Sequence, residues 1–161
     1  MSIDESPVVV AFDGSPESEA AVSAAARLFP SRPLVVLSVW EPGLALALTP
    51  PTDSLSGIAY AGPDPDTMRR VDKSQHDHAT DTAEAGAKLA RSLGATADPH
   101  AVAEEAHVAE TIAAAADQRD AAAIVVGSRG LGRVKSRLLG STSQGLLRHT
   151  HRPVVVVRTP E

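Results

Sequence analysis

Five short runs suited to β-strands, separated by segments of helical spacing, restrict the folds open to this chain. The runs cover residues 7–12, 34–39, 95–103, 121–126 and 153–158. Most are continuous apolar stretches rich in valine, which is typical of parallel strands covered by helices on both faces. With right-handed crossovers, the pattern predicts an α/β fold: a three-layer α/β/α, doubly wound, five-stranded parallel sheet of strand order 3-2-1-4-5.

Four helices are predicted between these strands. The first follows Ser15, a good N-cap, and the next two cover residues 66–93 and 107–117. The last begins at Ser141, which forms a capping-box pattern with Gln144. The residues predicted to face inward are Ala20, Ala24, Ala25, Leu28, Met68, Val71, Ala85, Leu89, Leu93, Val108, Ile112, Ala116, Leu146 and Leu147.

Two segments depart from this regular alternation. Residues 95–103 include Pro99, which cannot donate to a sheet ladder, so this strand is predicted at an edge. Residues 40–65 hold five prolines and three glycines with no steady period, which predicts a long irregular loop.

The composition excludes several classes of protein. A chain of 161 residues fits one domain, predicted to cover residues 1–161. No apolar run approaches the ~20 residues that span a bilayer, and residues 1–6 lack a signal-peptide pattern. We therefore expect a cytoplasmic protein with no membrane partner. The absence of cysteine excludes disulfides and thiol catalysis, and the six histidines form no converging metal site.

The charge distribution disfavours nucleic acid as a partner. The net charge is −5, whereas affinity for phosphate backbones comes largely from Lys and Arg. The chain also has few aromatic residues on which bases could stack. Arg129, Arg133, Lys135 and Arg137 form a local basic cluster, which is either an anion contact or a solvated loop.

Glycines recur after the fourth strand in the pattern G-x2-G-x9-G-[ST], formed by Gly127, Gly130, Gly140 and Ser141. The predicted strand order places the ends of the first and fourth strands together, where open α/β sheets bind ligands. Asp13, at the end of the first strand, therefore faces the glycines. Backbone N–H groups of such a loop, and of the helix that follows, can bind phosphate oxygens.

Each of these residues also has a purely structural explanation. Glycines are common at turns, a capping serine needs no ligand, and Asp13 can bond to the backbone ahead of it. The complete spacing, opposite Asp13, favours a nucleotide. No G-x4-G-K-[ST] or G-x-G-x-x-G pattern is present in the expected place, which argues against kinases and dehydrogenases.

The motif resembles that of the universal stress protein family, ATP-binding branch, whose fold is an adenine-nucleotide-binding, Rossmann-like one. Asp13-Gly14-Ser15 after the first strand and Leu147-Arg148-His149 before the last strand add to the likeness. The resemblance implies that glycines and hydroxyls hold phosphates and ribose, that Asp13 contacts the adenosine portion, and that the backbone at Ala11 and Val39 contacts adenine. Arg129 is the best-placed cation, and Thr142 stands where an aliphatic residue is commoner. The candidate ligand-binding residues are Ala11, Asp13, Val39, Gly127, Arg129, Gly130, Gly140, Ser141, Thr142 and Ser143.

Three functions remain open at this point. The first is an ATP-binding regulatory protein of the stress response, with protein partners that the sequence does not identify and Mg²⁺ held through the ATP phosphates. The second is a slow ATPase, for which Asp13 is the only obvious carboxylate. The third is a nucleotide-free dimeric scaffold. The last strand, Val154 to Val157, would expose an apolar edge, and the resemblance also implies a homodimer through it.

Overall fold

A five-stranded parallel sheet forms the centre of the protein. The structure is a computed structural model that describes residues 6–47, 62–130 and 139–159. The strands are β1 (Val8–Ala11), β2 (Leu34–Trp40), β3 (Ala97–Ala103), β4 (Ala123–Gly127) and β5 (Val154–Val157). Their order is β3-β2-β1-β4-β5 and every neighbouring pair is parallel, which confirms the predicted topology.

Helices cover both faces of this sheet. They are α1 (Pro16–Leu28), α2 (Leu44–Ala47), α3 (Pro65–Ser92), α4 (Val108–Gln118) and α5 (Ser141–His149). Because side chains alternate along a strand, each strand contributes to two cores. Val8 and Val10 of β1 pack in the core beneath α1 and α3, whereas Val9 packs in the core beneath α4 and α5.

The turn between β1 and α1 forms as its sequence predicts. Ser15 is the N-cap of α1, and its side chain accepts a hydrogen bond from the Ser18 backbone N–H. Pro16 occupies the first helical position, where its missing N–H costs nothing. Gly14 has φ 79°, a left-handed conformation that glycine adopts without strain.

Several helix-face predictions are wrong. Leu28, Ala85, Leu93 and Leu147 were predicted to face inward and are exposed. Adjacent helical residues point about 100° apart, so only Leu146 of the Leu146–Leu147 pair can reach the core. Helix α3 meets the sheet through small residues instead, which allow a closer approach than leucine would. These residues are Ala79, Ala83, Gly86, Ala87 and Ala90.

The region predicted as one irregular loop contains regular structure at both ends. Strand β2 continues to Trp40, the single turn α2 follows, and α3 begins at Pro65 after an Asp64 N-cap. The remainder of that prediction, residues 48–61, lies outside the described residues. Within residues 6–47, 62–130 and 139–159, no helix is long and apolar enough to cross a membrane.

Candidate functional site

A cavity of about 550 Å³ opens at the carboxyl ends of β1, β2 and β4. This is the point where the strand order reverses, since β1 lies between β2 and β4. All ten candidate residues named from the sequence line it. They are Ala11, Asp13, Val39, Gly127, Arg129, Gly130, Gly140, Ser141, Thr142 and Ser143. The structure thus brings together residues that are far apart in the chain, while their role in ligand binding stays a prediction.

Asp13 lies exposed at the end of the first strand, with its carboxylate tied to the turn. Its Oδ1 atom accepts a hydrogen bond of 3.0 Å from the Ser15 backbone N–H. The structural explanation for this residue is therefore correct in part, because the side chain does bond to the backbone ahead of it. The carboxylate also borders the cavity, so the turn holds it at the place where a ligand would meet it.

Two glycines of the motif are in close contact with the β1–α1 region. A Cβ on Gly127 would lie 2.9 Å from the backbone carbonyl carbon and oxygen of Glu17, at the start of α1. A Cβ on Gly130 would lie 2.6 Å from the Asp13 Oδ2 atom. Real Cβ atoms do not come this close, so packing against the helix backbone requires glycine at 127, whereas a Cβ at 130 would displace the Asp13 carboxylate.

Gly140 closes the loop that starts at Ser128. The Gly140 N–H donates a hydrogen bond of 2.6 Å to the Ser128 carbonyl oxygen. Ser128 is itself fixed to the sheet, because its N–H donates to the Val157 carbonyl oxygen at 2.7 Å. Residues 131–138, which include Arg133, Lys135 and Arg137 of the basic cluster, lie outside the described residues.

The predicted capping box at the start of α5 does not form. Gly140 is the N-cap and Ser141 the first helical residue, so the helix starts one position earlier than the box requires. The Gln144 side chain donates to the Leu139 carbonyl oxygen at 2.9 Å instead. Within the described part of the chain, no side chain caps this helix. Ser141 and Thr142, at its first positions, line the cavity, so the positive end of the helix dipole lies there.

An apolar wall, which the sequence did not identify, completes the cavity. Val108 and Ile112 of α4 line it beside Leu37 and Val39 of β2. Val108 and Ile112 stand four residues apart and so lie on one helix face. The spacing predicts that both side chains face inward. It does not predict that α4 begins at the cavity, which only the fold shows. Such a wall suits a flat apolar group.

No protein metal site accompanies the cavity in the described ranges 6–47, 62–130 and 139–159. No group of three or more His, Cys, Asp or Glu residues there could hold a metal ion. Arg129 is half-buried and lines the cavity beside Gly130. This arginine and the N-terminal end of the α5 dipole therefore give the cavity positive charge.

Known proteins share both the sequence pattern and the fold. The profile of the universal stress protein family matches residues 6–158. A universal stress protein of Mycobacterium tuberculosis is 33% identical over 153 residues, which make up 93% of this chain and 46% of that protein. The chain thus spans about half the length of the curated relatives that it matches.

Solved structures agree on the fold at low sequence identity. The universal stress protein UspA from Lactobacillus plantarum has a TM-score of 0.72 at 20% identity, covering 98% of this chain and 100% of that one. The universal stress protein from Archaeoglobus fulgidus in complex with dAMP has a TM-score of 0.60 at 22% identity, covering 96% and 98%. Similar structures also include complexes with cAMP and AMP. The match over nearly the whole chain establishes that it belongs to the universal stress protein family.

Proposed function

We propose that this chain binds ATP and acts in the cytoplasm as a nucleotide-dependent regulatory protein of the stress response. The observation that carries the proposal is the convergence of the complete glycine motif, Asp13 and the start of α5 on one cavity. A volume of about 550 Å³ is within the range of small-molecule sites. The dAMP, cAMP and AMP complexes of similar structures support an adenine nucleotide.

The two sides of the cavity suit the two ends of a nucleotide. The apolar side, with Val39 and Val108, would hold adenine, and the strand backbone at Ala11 and Val39 would contact its edge. Asp13 lies where it would accept hydrogen bonds from ribose hydroxyls. The glycine loop and the N–H groups of Ser141 and Thr142 would bind the phosphates, because these groups combine open backbone donors with the dipole of α5.

Mg²⁺ would enter with the phosphates. Asp13 is the single carboxylate among the described residues that line the cavity, and one carboxylate does not make a protein cage for a metal. Magnesium keeps several waters and is commonly bound through one or two carboxylates together with phosphate oxygens. The donor set therefore fits a Mg²⁺ ion carried by ATP.

Slow hydrolysis of ATP is the second candidate function. The contacts of the Asp13 carboxylate are the reason for ranking it below binding. Phosphoryl transfer requires a positioned water and concentrated positive charge on the γ-phosphate. Asp13 already accepts a hydrogen bond from the Ser15 N–H, and it lies opposite the glycines as a ribose contact would. The described residues thus favour nucleotide binding over hydrolysis. In the proposed regulatory function, nucleotide occupancy would determine which protein partners bind.

We also propose a homodimer formed through β5. Among the described residues this strand pairs with β4 alone, which leaves its other edge open, and all four of its valines are half-buried. Proteins usually cover an apolar edge of this kind, and pairing about a twofold axis would do so.

The decisive experiment compares glycine variants in nucleotide binding. Isothermal titration of the nucleotide-free protein should show ATP binding with preference over GTP, and Gly130→Val should abolish it. Gly62→Val is the matched control, because a Cβ at Gly62 meets nothing within 4 Å and this residue does not line the cavity. Mass analysis of ligand released by heat from the purified protein gives an independent answer. Equal ATP affinity in wild type and Gly130→Val, or no binding by wild type, would refute the proposal.

A further inference from the structure

Ser143 lies beside the cavity but is almost completely enclosed by protein. It is 1% exposed, and its hydroxyl donates to the Gly140 carbonyl oxygen at 3.0 Å. The same hydroxyl lies 3.4 Å from the Ser128 carbonyl oxygen. A serine has a single hydroxyl hydrogen, so these two carbonyls already use the only donor of this side chain.

Phosphate oxygens are hydrogen-bond acceptors, and this decides what Ser143 can do. To bind a phosphate directly, its hydroxyl would have to leave Gly140 and Ser128 and reach out of a buried position. Ser141 is the opposite case, because it is exposed at the first position of α5 and lines the same cavity. Ser141 and Ser143 therefore have different roles: the hydroxyl of Ser141 can reach a phosphate, whereas that of Ser143 is held by two carbonyls.

The residues that Ser143 contacts form the neck of the glycine loop. Ser128 and Gly140 stand at its two ends and are joined by the Gly140 N–H bond to the Ser128 carbonyl. The fit is tight, since a Cβ on Gly140 would lie 3.3 Å from that carbonyl oxygen. Ser128 is anchored to β5, so the neck fixes the start of α5 to the sheet.

We propose that Ser143 is a positioning residue of the phosphate-binding site, holding Ser128 and Gly140 together so that the N–H groups at the start of α5 are in place before a ligand arrives. The proposal rests on the proposed function, because it assigns a means of preorganisation to the same site. Preorganised donors raise affinity by reducing the ordering that binding requires.

The test measures amide exchange at the neck separately from ligand affinity. In nucleotide-free Ser143→Ala, the Gly140 amide should exchange with solvent several times faster than in wild type. ATP affinity should fall about five- to tenfold, the worth of one net hydrogen bond, while adenosine affinity stays unchanged. Ser143→Thr, which keeps a hydroxyl, should restore both quantities. Ser141→Ala is the matched control: it should weaken ATP binding and leave Gly140 exchange as in wild type.

Each contrary outcome has a distinct meaning. Unchanged Gly140 exchange in Ser143→Ala would overturn the positioning role, even if ATP affinity fell. An equal loss of ATP and adenosine affinity, with a lower melting temperature, would show a merely structural residue and would also overturn it. If wild type bound no ATP, the proposed function would fail, and the exchange comparison would still decide whether Ser143 holds the neck.

Discussion

Asp13 and Gly130 stand so close across the cavity that a Cβ on Gly130 would lie 2.6 Å from the Asp13 Oδ2 atom. The atom in the way is the tip of a side chain rather than backbone. The fold can therefore accept an alanine at 130 if the carboxylate moves away from its place at the cavity.

This contact predicts that substitutions at Gly130 and Asp13 have non-additive effects on adenosine affinity. Gly130→Ala and Asp13→Ala should each weaken adenosine binding by about five- to tenfold, because each removes one hydrogen-bonding carboxylate from its place. The double variant should bind no more weakly than Asp13→Ala alone, since the carboxylate can be lost only once. Isothermal titration of the four proteins gives the cycle. Additive losses would mean that Gly130 acts on the ligand without Asp13.

The first glycine of the motif should behave differently from the second. Gly127→Ala places a Cβ 2.9 Å from the backbone of Glu17, and a helix backbone cannot turn aside as a side chain can. We expect a loss of about 1–3 kcal/mol in the free energy of unfolding, the usual cost of overpacking. Urea denaturation measures it, with Gly62→Ala as control. A Gly127→Ala protein of wild-type stability would show that α1 is not held as described.

The start of α3 should respond to acid. Hydrogen bonds from the Thr67 side chain, and then from its backbone N–H, lower the pKa of the Asp64 carboxyl below its ordinary value. A lowered pKa in the folded state means that the charged cap stabilises the helix above the unfolded pKa of about 3.9 and that this is lost as pH falls through the folded value.

The measurement for this effect is an NMR titration of the Asp66 and Thr67 amides, which donate to the Asp64 Oδ1 atom at 3.0 Å. Their shifts should move with a midpoint below about 3.9 in wild type. Asp64→Asn keeps a side-chain oxygen for the cap but has no carboxyl to titrate. The part of each amide shift that Asp64→Asn removes is the part due to Asp64; a midpoint for that part at or above the ordinary value would contradict the assignment.

The proposed dimer predicts a selective effect on one edge of β5. Pro153 and Val157 both accept hydrogen bonds from the β4 side through their carbonyls, so the backbone of Val156 points the other way. Val156→Pro removes an N–H from the open edge and should give a monomer, while Val156→Thr, similar in shape, should remain dimeric. Light scattering at micromolar concentration reports both. A monomeric wild type would exclude the dimer.

Hydrolysis of ATP should be far slower than the ~10 s⁻¹ typical of enzymes. The reason is that the described cavity offers a single carboxylate, Asp13, and no P-loop lysine to concentrate charge on the γ-phosphate. Phosphate release with Mg²⁺ and saturating ATP checks this. Turnover of several per second that Asp13→Asn abolishes would place the protein among the enzymes.

The sequence predicted the topology and the residues around the cavity because both depend on repeating local patterns. Valine runs mark buried strands wherever they occur, and the glycine spacing follows from the turn after β4. The partner of each residue was not predictable in this way. That Glu17 requires a glycine at 127, or that Ser143 donates to Ser128, depends on distances between elements far apart in the chain.

The errors in helix faces have a related cause. Hydrophobicity favoured Leu147 and Leu93 as core residues, but a helix can present only one stripe to the sheet. In α3 that stripe is alanine and glycine, and Gly86 packs so closely that a Cβ on it would lie 2.8 Å from both Phe12 and Val36. Helical periodicity shows that a stripe exists, and only the packed sheet shows which stripe it is.

Helix α3 is much longer than the sheet that it covers. Its 28 residues extend about 42 Å, whereas the seven residues of β2 extend about 23 Å. Its buried residues begin only at Ala79, and residues 65–78 are held by lighter contacts, such as the Asp72 carboxylate on the Gly43 N–H at 2.8 Å. The two cores, as the described residues form them, include no residue of this first half, so the first half can unfold without exposing them. The two halves of α3 therefore differ in local stability. We expect a protease to cut within residues 65–78 after local unfolding, at a free-energy cost well below that of global unfolding.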